Sequence, residues 1–275
     1  MRTTEHRFVA TESTGEVGAL LTVPAGARCL YVFGHGAGAG MLHAFNADTG
    51  DEVFAYIPNH VFRFLDRLTE PLYNHRFYVD NGAYATRVNG QTLVVGALGK
   101  GGKGVYCLDV TAGATGLAFD AETDANNVVK WEYPGPAVGD NDVSPDADMG
   151  YGFSRAYLVN SNHNGSDPVV IFGNGYNSPN GHAVLFILDP VTGQLIKRID
   201  PQLGQPASCN GMSSPIATDV DYDGKVDYVY AGDLKGNMWK FDLRGTSVGD
   251  WTFGYGDATT PQPLVTVKNI YGEIQ

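Results

Sequence analysis

A chain of 275 residues with 36 glycines, 11% aromatic residues and only 17% charged residues is long enough to bury a sizeable core. It reads as many short strands joined by glycine turns rather than as long surface helices. The net charge of −12 argues against a nucleic-acid partner, because phosphate binding needs a basic face, and suits a protein that collects cations. No apolar run approaches the ~20 residues needed to span a bilayer, so a membrane-spanning chain is not expected.

The first 40 residues differ from the rest. Phe8-Val9-Ala10 and Ala19 to Val23 read as strands joined by a turn, and Cys29 to Phe33 as a short buried strand. The opening Met1-Arg2-Thr3-Thr4-Glu5-His6 is polar and lacks the apolar centre of a signal peptide, so none is expected in this chain. Gly34-His35-Gly36-Ala37-Gly38-Ala39-Gly40 then follows. This segment resembles the N-terminus of an α/β-hydrolase of the dienelactone-hydrolase-like group, in which such a turn lends backbone N–H groups to an oxyanion hole. No G-x-S-x-G elbow occurs downstream, and an oxyanion hole without a nucleophile performs no acyl transfer. Residues 1–40 therefore read as a hydrolase-like segment that is neither a catalyst nor an independent domain.

From Met41 to Gln275 the pattern is all-β. Met41 to Phe45 and Glu52 to Ile57 alternate as strands around an Asn-Ala-Asp-Thr-Gly turn. Asn59 to Leu68 is the one short inserted helix, with Asn59 as its cap and Val61, Phe62, Leu65 and Leu68 as its apolar stripe. Tyr84 to Val88 and Gln91 to Val95 flank Asn89-Gly90, which supplies the primed turn that matches strand twist. The Gly96 to Gly104 loop carries Lys100 and Lys103 but no GK[ST], so it reads as a turn rather than a phosphate cradle. Strands follow at Val105 to Val110, Val128 to Tyr133, Arg155 to Asn160, Asp167 to Gly173, Ala183 to Asp189, Leu195 to Ile199 and Asn237 to Leu243. Asp140 to Asp148 holds four aspartates without a central Asp-Gly; it reads as a solvated acidic loop, a second cation site being the weaker alternative. A degenerate repeat of strand, turn and Asp recurs at Asp48, Asp109, Asp189 and Asp242, which points to propeller blades. Trp131, Trp239 and Tyr230 are expected to pack between blades.

The densest chemistry lies at Asp219-Val220-Asp221-Tyr222-Asp223-Gly224-Lys225-Val226-Asp227. Carboxylates at alternate positions turn inward onto one point, the glycine permits a sharp bend, and the Lys225 carbonyl can join them. An all-oxygen cage of this kind suits Ca²⁺ before Mg²⁺. The first half follows the EF-hand pattern, but Tyr230 stands where that loop has its glutamate, and strands flank it instead of helices. The same residues also suit a solvated Asp/Gly turn. The expected metal ligands are Asp219, Asp221, Asp223, Asp227 and the Lys225 carbonyl.

Residues 219–243 resemble the calcium-binding segment of the C-terminal β-propeller of PilC/PilY-type type IV pilus proteins. Further motifs match in order: Met41 to Gly50, Phe54 to Pro58, His75 to Gly82, Gly104 to Thr111, Gly150 to Arg155 and Phe172 to Ser178. The resemblance implies an incomplete ring of four to five blades, quinoprotein-dehydrogenase-like in architecture. It further implies a tip-associated adhesin and pilus biogenesis factor that is not an enzyme. Ca²⁺ occupancy would regulate pilus extension against retraction, with minor pilins at the pilus tip and a host or abiotic surface as partners. Location would be the cell surface, reached by export. An open arc would leave two sheet faces uncovered. The alternatives are a quinoprotein-like dehydrogenase, for which no vicinal cysteine pair is found, and a remnant of the hydrolase. Cys29, Cys107 and Cys209 have no paired spacing and read as buried or partly buried thiols, one incidental bridge remaining open.

Overall fold

The computed structural model describes residues 2–11, 15–23, 31–35, 41–46, 49–113, 125–135, 144–165 and 167–267. A long antiparallel hairpin, β1 (Arg2–Thr11) and β2 (Gly15–Val23), leads the chain. Four sheets follow, each a meander in chain order. The first is β3 (Tyr31–His35), β4 (Leu42–Asn46) and β5 (Glu52–Tyr56). The pairing of β3 with β4 sets the strand of residues 31–35 in the same sheet as the residues that follow position 41. The second sheet is β6 (Ala83–Val88), β7 (Gln91–Ala97), β8 (Val105–Asp109) and β9 (Val129–Tyr133), the last entered through one helical turn, α2 (Ala125–Val128).

The third sheet is β10 (Tyr157–Asn160), β11 (Pro168–Gly173), β13 (Leu185–Leu188) and β14 (Leu195–Ile199). A small pair, β12 (Gly175–Tyr176) with β15 (Gly211–Met212), sits beside it. The fourth is β16 (Ile216–Thr218), β17 (Tyr228–Gly232), β18 (Asn237–Asp242) and β19 (Thr252–Phe253), with β20 (Val265–Thr266) also on β18. The described residues thus form an all-β partial propeller of four blades. No helix among the described residues is long and apolar enough to cross a membrane.

Three cores lie between the four sheets, and strand alternation divides the side chains among them. On β7, Leu93 and Val95 face the third sheet while Val94 faces the first; on β8, Cys107 and Leu108 divide the same way. On β11 and β13, Val170, Phe172, Phe186 and Leu188 face the second sheet, whereas Val169, Ile171, Leu185 and Ile187 face the fourth. Strands buried on both faces read as unbroken apolar runs, as these do. Phe172 and Phe186 stack at 5.3 Å, and burying each such ring contributes about 1.5–3 kcal/mol. Trp131 and Trp239 pack between sheets as expected. Tyr230 does not: it lies on the far face of the fourth sheet, with the Lys240 ammonium 6.0 Å from its ring and 3.7 Å from that of Tyr228. Alternation along β17 sends Val229 and Ala231 inward and Tyr228 and Tyr230 outward.

The Asn89-Gly90 turn forms as read, with positive φ at both residues (48° and 83°) and β6 paired to β7 through Val88 and Gln91. The expected helix of residues 59–68 is broken. One α-turn, α1 (Asn59–Phe62), is followed by a 3-10 turn at Leu65–Thr69. Pro58, not Asn59, holds the cap position, because the Asn59 N–H is drawn to the Glu132 carboxylate at 3.0 Å. Phe64 is buried beneath the guanidinium of Arg76, 3.6 Å from its ring centroid; seating that ring bends the chain out of helical register. Phe62, placed on the apolar stripe by spacing, is 63% exposed.

One glycine is fixed by close approach. Gly175 has φ +72°, and a Cβ there would lie 1.7 Å from the Tyr151 carbonyl oxygen, where Tyr151 bridges to Tyr176. Gly175→Ala is expected to cost upwards of about 3 kcal/mol, since both strain and a backbone clash apply. Gly224→Ala, at φ +88° but with nothing within 4 Å, should cost only about 1 kcal/mol. Urea midpoints of the two variants measure the difference, and equal shifts would refute the packing role of Gly175.

Candidate metal loop between β16 and β17

The loop from residue 219 to 227 is closed at its base by the strands it joins. The Asp227 N–H donates to the Thr218 carbonyl at 2.8 Å, and the Thr218 hydroxyl donates to the Tyr228 carbonyl at 3.2 Å. Two residues adopt the left-handed region, Tyr222 (φ 64°) and Gly224 (φ 88°), and these turn the chain back on itself. The Asp219 carboxylate accepts the Tyr222 and Gly224 N–H groups at 2.7 and 2.8 Å. Asp227 accepts the Val220 N–H at 2.8 Å, so each end of the loop holds the other.

The loop is also docked on the third sheet. The Val226 N–H donates to the Asn160 carbonyl at 2.8 Å, and the Asn162 side-chain amide donates to the Val226 carbonyl at 3.0 Å. The Val226 side chain itself is buried in the core between the third and fourth sheets. Beside the loop, a groove of about 280 Å³ runs between the first strands of three sheets, with Arg87, Val88, Leu158, Ala217, Asp219 and Lys225 among its walls.

Of the five expected ligands, the structure brings three together. Single carboxylate oxygens of Asp219, Asp221 and Asp227 all lie within 4.8 Å of one another, Asp227 buried, Asp219 half-buried and Asp221 exposed. Oxygens on opposite sides of a Ca²⁺ ion, each at about 2.4 Å, are separated by roughly the same distance, and an all-oxygen set is the chemistry a hard cation selects. The donor set fits the ion. Asp223 is engaged elsewhere: its Oδ2 accepts the Lys225 ammonium at 2.7 Å and its Oδ1 the Lys225 N–H at 2.9 Å. Hydrogen bonds from Lys225 hold the Asp223 carboxyl below its ordinary range, and Asp223 in turn raises the Lys225 ammonium. The loop is therefore partly neutralised by one of its own side chains.

The acidic stretch of residues 140–148 is not the solvated loop expected. Residues 140–143 lie outside the described residues, but Asp146 and Asp148 are largely buried and bound to Arg198, at 3.0 and 2.6 Å. The Tyr133 hydroxyl also donates to Asp146, and burial, then that carboxylate, pushes the phenol upward. Asp148 approaches His182 and Asp200 closely enough to share an ion. The Arg198 guanidinium already stands against Asp148, however, and the His182 imidazole against Asp200 at 2.8 Å. This cluster is an ion-pair lattice that ties β14 to the segment before β10.

Sequence reading missed a further polar cluster. The Glu132 carboxylate on β9 accepts the Tyr56 hydroxyl at 2.6 Å, the Asn59 N–H and the His60 Nδ1–H at 3.2 Å, and its side chain is only 6% exposed. No local pattern could reveal it, because its donors lie more than 70 residues away in sequence. Of the repeat aspartates, Asp109 and Asp189 cap their own turns through Thr111 and Thr192, and Asp242 pairs with Arg244; Asp48 lies outside the described residues. Cys107 is a buried free thiol, pushed up to about 12 by burial, and Cys209 is free and half-buried; Cys29 and residues 36–40 lie outside the described residues.

The family model of the PilY1 beta-propeller domain matches residues 9–271. A type IV pilus biogenesis factor PilY1 homolog of Xylella fastidiosa is 40% identical over 250 residues, covering 86% of this chain and 16% of its own length. The type IV pilus biogenesis factor PilY1 of Pseudomonas aeruginosa (strain UCBPP-PA14) is 39% identical over 228 residues, covering 78% of this chain and 17% of its own. The crystal structure of the Pseudomonas aeruginosa PilY1 C-terminal domain superposes with a TM-score of 0.66 at 30% identity, over 90% of this chain and 48% of that one. The chain thus spans about one-sixth of the length of these relatives and about half of that solved domain.

Proposed function

Because the chain belongs to the PilY1 β-propeller family, we propose that it serves as a calcium-binding propeller segment of a type IV pilus biogenesis factor. Its relatives are named as biogenesis factors and not as enzymes, which supports a non-enzymatic role. The observation that carries the calcium reading is the convergence of Asp219, Asp221 and Asp227 within 4.8 Å. These three side chains would hold the ion, with the Lys225 carbonyl and a released Asp223 completing the set. Bound Ca²⁺ would supply neutralising charge where carboxylates otherwise repel one another.

The loop joins two strands of the fourth sheet and hydrogen-bonds to Asn160 of the third and to Asn162 in the turn that follows it. Ordering it therefore fixes the seam between two blades and one wall of the adjoining groove. In this reading, occupancy shifts the propeller between two states of local order, and those states govern pilus extension against retraction. Adhesion to a host or abiotic surface and contact with minor pilins belong to the whole protein at the pilus tip.

Calorimetric titration with Ca²⁺ tests the site. Asp221 is the clean position, because its side chain is exposed and its loss leaves the sheets folded. Asp221→Asn is expected to weaken binding by about ten- to a hundredfold, the worth of one charged ligand. At a hundredfold excess over Kd, the ion should also stabilise the wild type by about 2.7 kcal/mol. Absence of saturable heat in the wild type, or unchanged affinity in Asp221→Asn, would overturn the assignment.

A further inference from the structure

Resting on that reading, we propose that Lys225 is a resident counter-cation of the loop, a tethered competitor that a divalent ion must displace from Asp223 and that thereby sets the loop's affinity. The Lys225 ammonium and N–H close a ring on the two oxygens of one carboxylate. Asp223 is not among the three converging carboxylates. Among the described residues, no ion pair reaches Asp219, Asp221 or Asp227; the ammonium serves the fourth acid, where spacing alone would direct all four inward.

Displacement is easy, because the Lys225 and Asp223 side chains are 25% and 37% exposed. An exposed pair of this kind holds weakly and both partners can rotate into water. Two effects then oppose ion binding. Asp223 must give up its lysine before it can turn inward, and the released ammonium repels a doubly charged ion until it has swung out into water, where solvent screens it. In the ion-free loop the same charge is favourable, because it offsets the mutual repulsion of four acids. Lys225 thus keeps the empty loop folded at the expense of affinity, a balance suited to an ion that comes and goes.

The test compares wild type, K225M and K225R by Ca²⁺ calorimetry, with amide exchange of residues 219–227 measured in the ion-free proteins. Methionine keeps the length of the side chain without its charge, and arginine keeps the charge. K225M is expected to bind Ca²⁺ about three- to tenfold more tightly than wild type, with K225R within twofold. In a D223N background, where the carboxylate that holds the ammonium is neutral, the gain from K225M should shrink to twofold or less. The ion-free loop of K225M should exchange its amides faster than that of K225R. Equal or weaker binding by K225M than by K225R, or slower exchange, would overturn the role of Lys225. Failure of every variant, wild type included, to bind Ca²⁺ would instead remove the calcium reading beneath it.

Discussion

Asp233→Ala is expected to destabilise the fold by about 3–5 kcal/mol. Asp233 occupies the turn between β17 and β18, and its two oxygens accept five donors. Oδ1 takes the Lys235 and Asn237 N–H groups at 3.0 and 2.8 Å; Oδ2 takes the Asn210 and Asn237 side-chain amides and the Trp239 indole N–H, each at 2.9 or 3.0 Å. Trp239 and Asn210 are fully buried, so alanine would leave their donors without acceptors where water does not reach. Each orphaned buried donor costs about 1–3 kcal/mol. In a chain of this size such a loss lowers the melting temperature by roughly 10 °C. Asp257→Ala is the control: that carboxylate accepts Thr259 and Thr260, which hold it at about 2, but on a wholly exposed turn, where replacement should leave the melting temperature nearly unchanged. Thermal melts followed through the tryptophan near-ultraviolet signal separate the two, and comparable small shifts would deny Asp233 its central place in the fourth blade.

The contrast between these aspartates bears on what a sequence discloses. The turn chemistry of Asn89-Gly90, the apolar runs of β7, β8, β11 and β13, and the alternating acids of residues 219–227 are local, and each was legible because its partners lie within a few positions. The aspartates at 146 and 148 read as solvated because a run of charge ordinarily stays in water. Their partner, Arg198, stands some 50 residues away and arrives only when β14 joins the third sheet. Tyr230 reads as a seam residue because each small sheet buries its faces only against its neighbours. Its true face follows from alternation about Val229, together with the fact that no described sheet covers the outer side of β17. Asp223 shares the spacing of its three neighbours, and spacing does not weigh the lysine two residues on. Charge pairing, local at Asp223 and non-local at Asp146 and Asp148, and the facing of Tyr230 are what escaped the sequence, rather than strand identity.

Glu132 shows the same non-locality with a larger consequence, and its prediction carries a pH dependence. It sits on β9 at the edge of the second sheet and draws all its described donors from one segment, residues 56–60, that ends the first sheet and begins the inserted turn. Burial alone would raise its carboxyl. The hydrogen bonds from His60, Tyr56 and Asn59 more than offset this, so the group is lowered from its ordinary 4.5. A depressed folded value means that the ionised group stabilises the fold. That contribution is whole above the unfolded value near 4.5 and is lost as pH falls through the lower, folded value. From pH 7 to 5 the Glu132 carboxylate should therefore contribute constantly, and below pH 4.5 the seam between the first two blades should weaken.

Glu132→Ala removes the acceptor and leaves the buried Tyr56 and His60 donors stranded, at an expected cost of about 3–5 kcal/mol. Glu132→Gln keeps the shape without the charge and should cost about 1–3 kcal/mol at neutral pH. It should also flatten the acid limb of the stability curve, because the group that titrates is gone. Urea unfolding of wild type and Glu132→Gln at pH 7, 5 and 3.5 decides the matter: the two curves should converge as pH falls, and a constant separation across that range would mean that Glu132 contributes through packing and not through its charge.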